Sequence, residues 1–139
     1  MSQENVEIVR RSWDAFEGGS QRDPIAPLFE RGLFAPECTF IPPPEVPGSE
    51  RCVGREELTE WFRTWTEAFL DYRIWPERII DAGDDRVVAV VRQSAKGKES
   101  GVGVELQVGF VYTLRAGQIV GVVNYLDPAE ALEAVGLSE

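Results

Sequence analysis

Val102-Gly103-Val104-Glu105-Leu106-Gln107-Val108-Gly109-Phe110-Val111-Tyr112-Thr113-Leu114-Arg115-Ala116-Gly117-Gln118-Ile119-Val120-Gly121-Val122-Val123-Asn124-Tyr125-Leu126 is the stretch whose reading decides the fold. Its first half alternates apolar and smaller or polar residues with the two-residue period of a β-strand, and Arg115-Ala116-Gly117 is short enough to close an antiparallel hairpin. Two further extended segments precede it, Tyr72 to Asp81 and Arg86 to Ala95. Ala82-Gly83-Asp84-Asp85 separates them, and Lys96-Gly97-Lys98-Glu99-Ser100-Gly101 forms a solvated hairpin tip after the second. The four strands predict a meander.

Helical periodicity lies mainly upstream of this meander. Val6, Val9, Trp13 and Phe16 recur at helical spacing after Ser2, an expected N-cap, and Gly18-Gly19 ends the pattern. Asp23-Pro24 then reads as an N-cap acid and a first-turn proline before a short apolar face of Ile25, Leu28 and Phe29 that ends at Gly32. Cys38-Thr39-Phe40-Ile41 has strand chemistry, and Pro42-Pro43-Pro44 opens a proline-rich loop that runs to Gly54. From Arg55, Leu58, Trp61, Phe62, Trp65 and Phe69 form the apolar face of a third helix whose first turn is acidic. Asp127-Pro128 opens a last helix through Ala129, Leu132 and Val135 to Gly136. The order ααβαββββα predicts one α+β domain over residues 1–139, with helices packed on a curved, mainly antiparallel sheet. It leaves no room for βαβ crossovers.

Composition narrows the chemistry. The chain has 139 residues, 43% of them hydrophobic, and its 14 basic against 24 acidic residues give a net charge of −10. That charge argues against nucleic acid and anionic membrane surfaces as partners. Histidine is absent, which removes Ser-His-Asp and Cys-His catalysis, His-ligated zinc and proximal-His haem. Lys96 and Lys98, the two lysines, both sit in the hairpin tip, where a Schiff base lacks its desolvated pocket. Cys38 and Cys52 read as unpaired thiols, so no metal or cofactor is expected and the expected compartment is cytoplasmic. Met1-Ser2-Gln3-Glu4-Asn5 lacks the basic and apolar regions of a signal peptide, and the longest aliphatic run, Val87 to Val91, is far too short to span a bilayer.

Several segments together resemble the NTF2-like superfamily and its SnoaL-like branch of small bacterial proteins. They are Asn5 to Arg11 leading to Trp13 and Phe16, Gly54-Arg55-Glu56-Glu57, Ile80 to Asp84, Thr113 to Val120, and Tyr125 to Leu132. The resemblance implies a cone in which a bent sheet and helices enclose a ligand pocket. Laid on the ketosteroid isomerase members, the oxyanion tyrosine falls on Ser12, the proton-carrying aspartate on Pro42 and the oxyanion aspartate on Gly109, so that chemistry is lost. Against the epoxide hydrolase members Arg92 matches an arginine whose acid partner, two residues on, is replaced by Ser94. Where the cyclases carry an inward carboxylate, this chain has Asn124.

On this resemblance Gln107, Gly109, Val111 and Thr113 face the pocket from the long strand, with Glu105 by alternation, and Val122, Asn124 and Leu126 from the last. Trp13, Trp61 and Trp65 are core residues that also wall the pocket. Plain amphipathicity turns the long strand the other way, because Val104, Leu106, Val108, Phe110, Tyr112 and Leu114 make its more apolar face. The family resolves the conflict by burying its outer sheet face against a second subunit, so this face is expected to form a homodimer interface. Glu105 and Arg92 are read either as an acid and an electrophile in a wet pocket or as a cross-strand surface ion pair. The leading expectation is a domain that binds a hydrophobic small molecule without a catalytic acid–base set. The alternatives are an isomerase, cyclase or epoxide hydrolase working through Glu105 and Arg92, and a protein-interaction module.

Overall fold

The computed structural model describes residues 2–17, 25–46, 50–67 and 69–137. Its elements run α1 (Ser2–Glu17), α2 (Ala26–Glu30), β1 (Phe34–Ile41), β2 (Cys52–Val53), α3 (Gly54–Glu67), β3 (Phe69–Gly83), β4 (Arg86–Gly97), β5 (Gly103–Arg115), β6 (Gln118–Tyr125) and α4 (Pro128–Ala134). The four-stranded meander is present, and the fold is the expected α+β cone. One element is added to the order read from the sequence. Cys52 and Val53, placed in the proline-rich loop, instead pair with Phe40 and Thr39 as a two-residue antiparallel strand. Phe69 belongs to β3 rather than to the preceding helix. Gly18-Gly19 and Asp23-Pro24, taken as stop and start signals, lie outside the described residues.

All six strands form one sheet in the order β2-β1-β6-β5-β4-β3. Every pairing is antiparallel except β1 with β6. Register shifts in β3, at Leu70/Arg73, Pro76/Arg78 and Asp81/Gly83, mark where the long β3–β4 ribbon departs from regular pairing; such irregularities bend a strand and increase its twist. The concave face wraps the apolar stripes of α1 and α3, so that Val9, Trp13 and Leu58 join Val87, Ala89, Val91, Val108, Tyr112 and Val122 in the main core.

The other face carries a smaller core. There α4 packs Ala131, Leu132 and Val135 on Val88 and Val111. Its start is fixed by Asp127, whose carboxylate accepts a hydrogen bond from the Ala129 N–H at 2.9 Å, and by Pro128 in the first turn. Two faces, each with its own core, decide which side chains of β5 turn toward α1 and α3 and which toward α4.

Candidate functional site

A cavity of about 110 Å³ lies between the concave sheet face and the helices. Its walls are aromatic. Trp13 stacks on Phe110 at 5.9 Å, Phe16 on Phe62 at 5.1 Å, and Trp61 on Trp65 at 5.8 Å with the rings 7° from parallel. Among the described lining residues none is charged, and the polar ones are Ser12, Tyr72, Gln93, Tyr112 and Asn124, together with the indole N–H groups of Trp13, Trp61 and Trp65.

Alternation along the strands explains this composition. Leu106, Val108, Phe110 and Tyr112 line the cavity from β5, and Val122, Asn124 and Leu126 line it from the β6 side. Of the residues named from the sequence, Trp13, Trp61, Trp65, Val122, Asn124 and Leu126 line this cavity. Gln107, Gly109 and Val111 do not. These three sit on the opposite, outer face, where Val111 joins the α4 core and a Cβ on Gly109 would come within 2.5 Å of the Ala131 Cβ. Burial is the physical reason: Val108 is 1%, Tyr112 3% and Leu114 3% exposed, so amphipathicity decides the facing of this strand and the alignment by family landmarks is one residue out. With that slip the oxyanion position falls on Val108 or Phe110, which still carries no acid. The strip expected to form a subunit interface is therefore the cavity wall.

Glu105 and Arg92 are also on the outer face. Arg92 pairs with Glu105 at 2.7 Å and with Glu77 at 3.0 Å, and the Gln107 amide donates to Glu77 at 2.7 Å. The bond from Arg92 and then that from Gln107 hold the Glu77 carboxyl below its ordinary range. This exposed network lies across the sheet from the cavity, so of the two readings of Glu105 and Arg92 the geometry is that of the cross-strand surface ion pair and not of an acid and an electrophile inside the pocket. Ser94, two residues beyond Arg92, points outward by the same alternation.

Inside the cavity the polar groups differ in how well they are satisfied. The Ser12 hydroxyl donates to the Val9 carbonyl at 2.6 Å. Tyr112 is fully enclosed, and burial raises its pKa far above the ordinary phenol value, against a smaller opposing effect of Trp13. Asn124 is 7% exposed and its buried Oδ1 has no hydrogen-bond partner. Gln93, which sequence reasoning did not single out, is also 7% exposed. Its Oε1 accepts from Trp65 Nε1 at 3.3 Å and from the Tyr72 hydroxyl at 2.5 Å. A signal for it existed, since Val87, Ala89, Val91 and Gln93 share one parity on β4 and the first three are buried. Among the described residues there is no group of three or more His, Cys, Asp or Glu side chains placed to hold a metal ion, and no helix is long and apolar enough to cross a membrane.

Residues 9–122 match the SnoaL-like domain family, most of the chain. The chain belongs to the SnoaL-like domain family. Solved structures resemble this SnoaL-like protein along nearly their full length. An NTF2-like protein from Burkholderia thailandensis E264 shares 23% identity over 91% of this chain and 95% of that one, with a TM-score of 0.74. A protein of ketosteroid isomerase-like fold from Catenulispora acidiphila, in complex with trimethylamine, shares 19% over 94% and 93%, with a TM-score of 0.68. TerC, co-crystallized with polyporic acid, shares 17% over 95% and 98%, with a TM-score of 0.71. At these identities the likeness establishes the fold alone. No curated protein matches the SnoaL-like chain in sequence.

Proposed function

We propose that this SnoaL-like protein binds a neutral, largely apolar small molecule in the cavity between its sheet and helices. The observation that carries the reading is Asn124, a buried amide oxygen without a partner on the wall of an uncharged aromatic cavity. Leaving such an acceptor unpaired costs about 1–3 kcal/mol, which a ligand donor would offset. The cavity is somewhat below the ~150 Å³ of an engineered apolar cavity that takes up benzene, so the part of the ligand it encloses is about the size of a single ring. Complexes of two similar folds with small molecules, trimethylamine and polyporic acid, support the same use of this architecture.

Asn124→Leu tests it. The expected outcome is a melting temperature unchanged or slightly raised, because an unsatisfied acceptor is removed, together with weaker retention of a co-purified molecule in native mass spectrometry. A clear fall in melting temperature with retention unchanged would refute the reading.

A homodimer through the outer sheet face is a second part of the proposal, and it now rests on different residues. The sheet area beyond α4 carries Trp75 beside Arg92, with Glu77, Glu105 and Gln107 around them. Light scattering that gives a monomer mass at micromolar concentration would remove this part.

A further inference from the structure

The two buried amides of the cavity differ in one respect. Asn124 is free of side-chain partners at its oxygen, whereas Gln93 is held. An indole N–H only donates, so the Gln93 atom facing Trp65 has to be the carbonyl oxygen, and the Tyr72 hydroxyl donates to that same oxygen. The Gln93 NH2 group is thereby turned away from both and takes no hydrogen-bond partner among the described residues, while the side chain lines the cavity. The register partner of Gln93 on β5 is Leu106, which is 39% exposed. Asn124 stands opposite Phe110, about 13 Å further along the strand. The Gln93 amide is thus a donor held in place on the cavity wall, separate from the Asn124 acceptor.

We infer that Gln93 selects the ligand by donating from Nε2 to a carbonyl oxygen, so that the molecule taken is a neutral carbonyl compound. Trp65 is a positioning residue, because its indole N–H can only donate and so fixes which end of the amide faces the ligand, whereas the Tyr72 hydroxyl can donate or accept and would permit either. The inference rests on the binding function proposed above and adds the chemistry of the group that is recognised.

Acetophenone and ethylbenzene are nearly the same size and differ in the carbonyl, so the ratio of their affinities reads this one interaction. Titration of each, followed by NMR of the tryptophan indole N–H groups, is expected to show acetophenone binding about fivefold more tightly, the increment of one neutral hydrogen bond. Gln93→Met should bring the ratio close to one. Tyr72→Phe should keep it, since the indole still holds the amide oxygen. A role that was only structural would shift both affinities together and leave the ratio alone. Should Gln93→Met fail to fold, Trp65→Phe reads the same quantity, because it releases the amide to turn, and the ratio should fall.

Equal affinities in the unaltered protein would overturn the inference and leave the binding reading standing. If neither compound perturbs a cavity indole, both readings fall. A ratio lost in Tyr72→Phe but kept in Gln93→Met would assign recognition to the phenol and overturn the role given to Gln93.

Discussion

Ala116 has a φ of 53° beside Gly117 at 80°, in the two-residue turn that joins the paired residues Arg115 and Gln118. A two-residue hairpin with both φ values positive favours Asn-Gly, and a left-handed conformation costs a residue with a Cβ about 1–2 kcal/mol. Ala116→Asn is therefore expected to stabilise the protein by about 1 kcal/mol, seen as a melting temperature higher by a few degrees. A melting temperature that falls would mean the alanine conformation is not strained. At this same scale the sequence was readable where one residue type has one consequence. Asp127-Pro128 is a start signal wherever it precedes an apolar helix face, and the cap is present. Gln93 was not readable in that way, because its role depends on Trp65 and Tyr72, which are 28 and 21 positions away in the chain.

At the scale of elements, the docking of α4 depends on a missing side chain. An added Cβ at Gly109 would meet the Ala131 Cβ at 2.5 Å and the Pro128 Cα at 3.1 Å, so the helix sits as close to β5 as glycine allows. Gly109→Val should displace α4 and destabilise the fold by about 1–3 kcal/mol, with amide exchange rising first in Ala131 and Leu132. Unchanged stability would show that α4 can re-seat without loss. The same contact explains why the facing of β5 was hard to assign. In the middle of the strand its outer side, with Val111 at 6% exposure, is as buried as its inner side because α4 covers it there, while Glu105, Gln107 and Thr113 on the same side stay exposed. A strand covered on both faces gives a weak alternation signal, and the family landmarks then outweighed the correct pattern. The helices α1 and α3 were legible because each has a single apolar stripe. A two-residue strand such as β2 has no period to read.

For the whole molecule, burial sets how the fold responds to alkali. Desolvation, with a smaller contribution from Glu37, raises the Cys38 thiol from 9.0 to about 12, and burial raises Tyr72 and Tyr112 well above the ordinary phenol value. The sign follows from proton counts. Above about pH 9 the unfolded chain gives up a Cys38 proton that the folded chain keeps, so stability falls as pH rises and this thiol's contribution to the fall ends near pH 12. Each such group contributes a slope of about 1.4 kcal/mol per pH unit within its window. Denaturant melts from pH 8 to 11 should show this decline, and Cys38→Ala should make it shallower by about one proton. An identical slope in the variant would mean that the thiol ionises without unfolding. The enclosure behind these shifts was legible in outline, since a bent meander around two amphipathic helices has to surround something. Its size was not, because cavity volume is a property of how Trp13, Trp61 and Trp65 pack and not of their spacing in the chain.

The parallel pairing of β1 with β6 joins Phe40 to Val122, 82 positions apart, and places the last strand between β1 and β5. Until β6 is in place, β1 and β5 each keep an open row of backbone donors and acceptors, and the cavity lacks the wall that carries Asn124. During synthesis the ribosome therefore delivers the keystone of the sheet as the last of its six strands. Contacts between such distant residues form slowly, and an unpaired edge that waits for its partner is a site for association with other chains. A chain stopped at Gly117 would keep the residues of five strands but lack the one that joins them, and its natural partner would be another incomplete copy of itself.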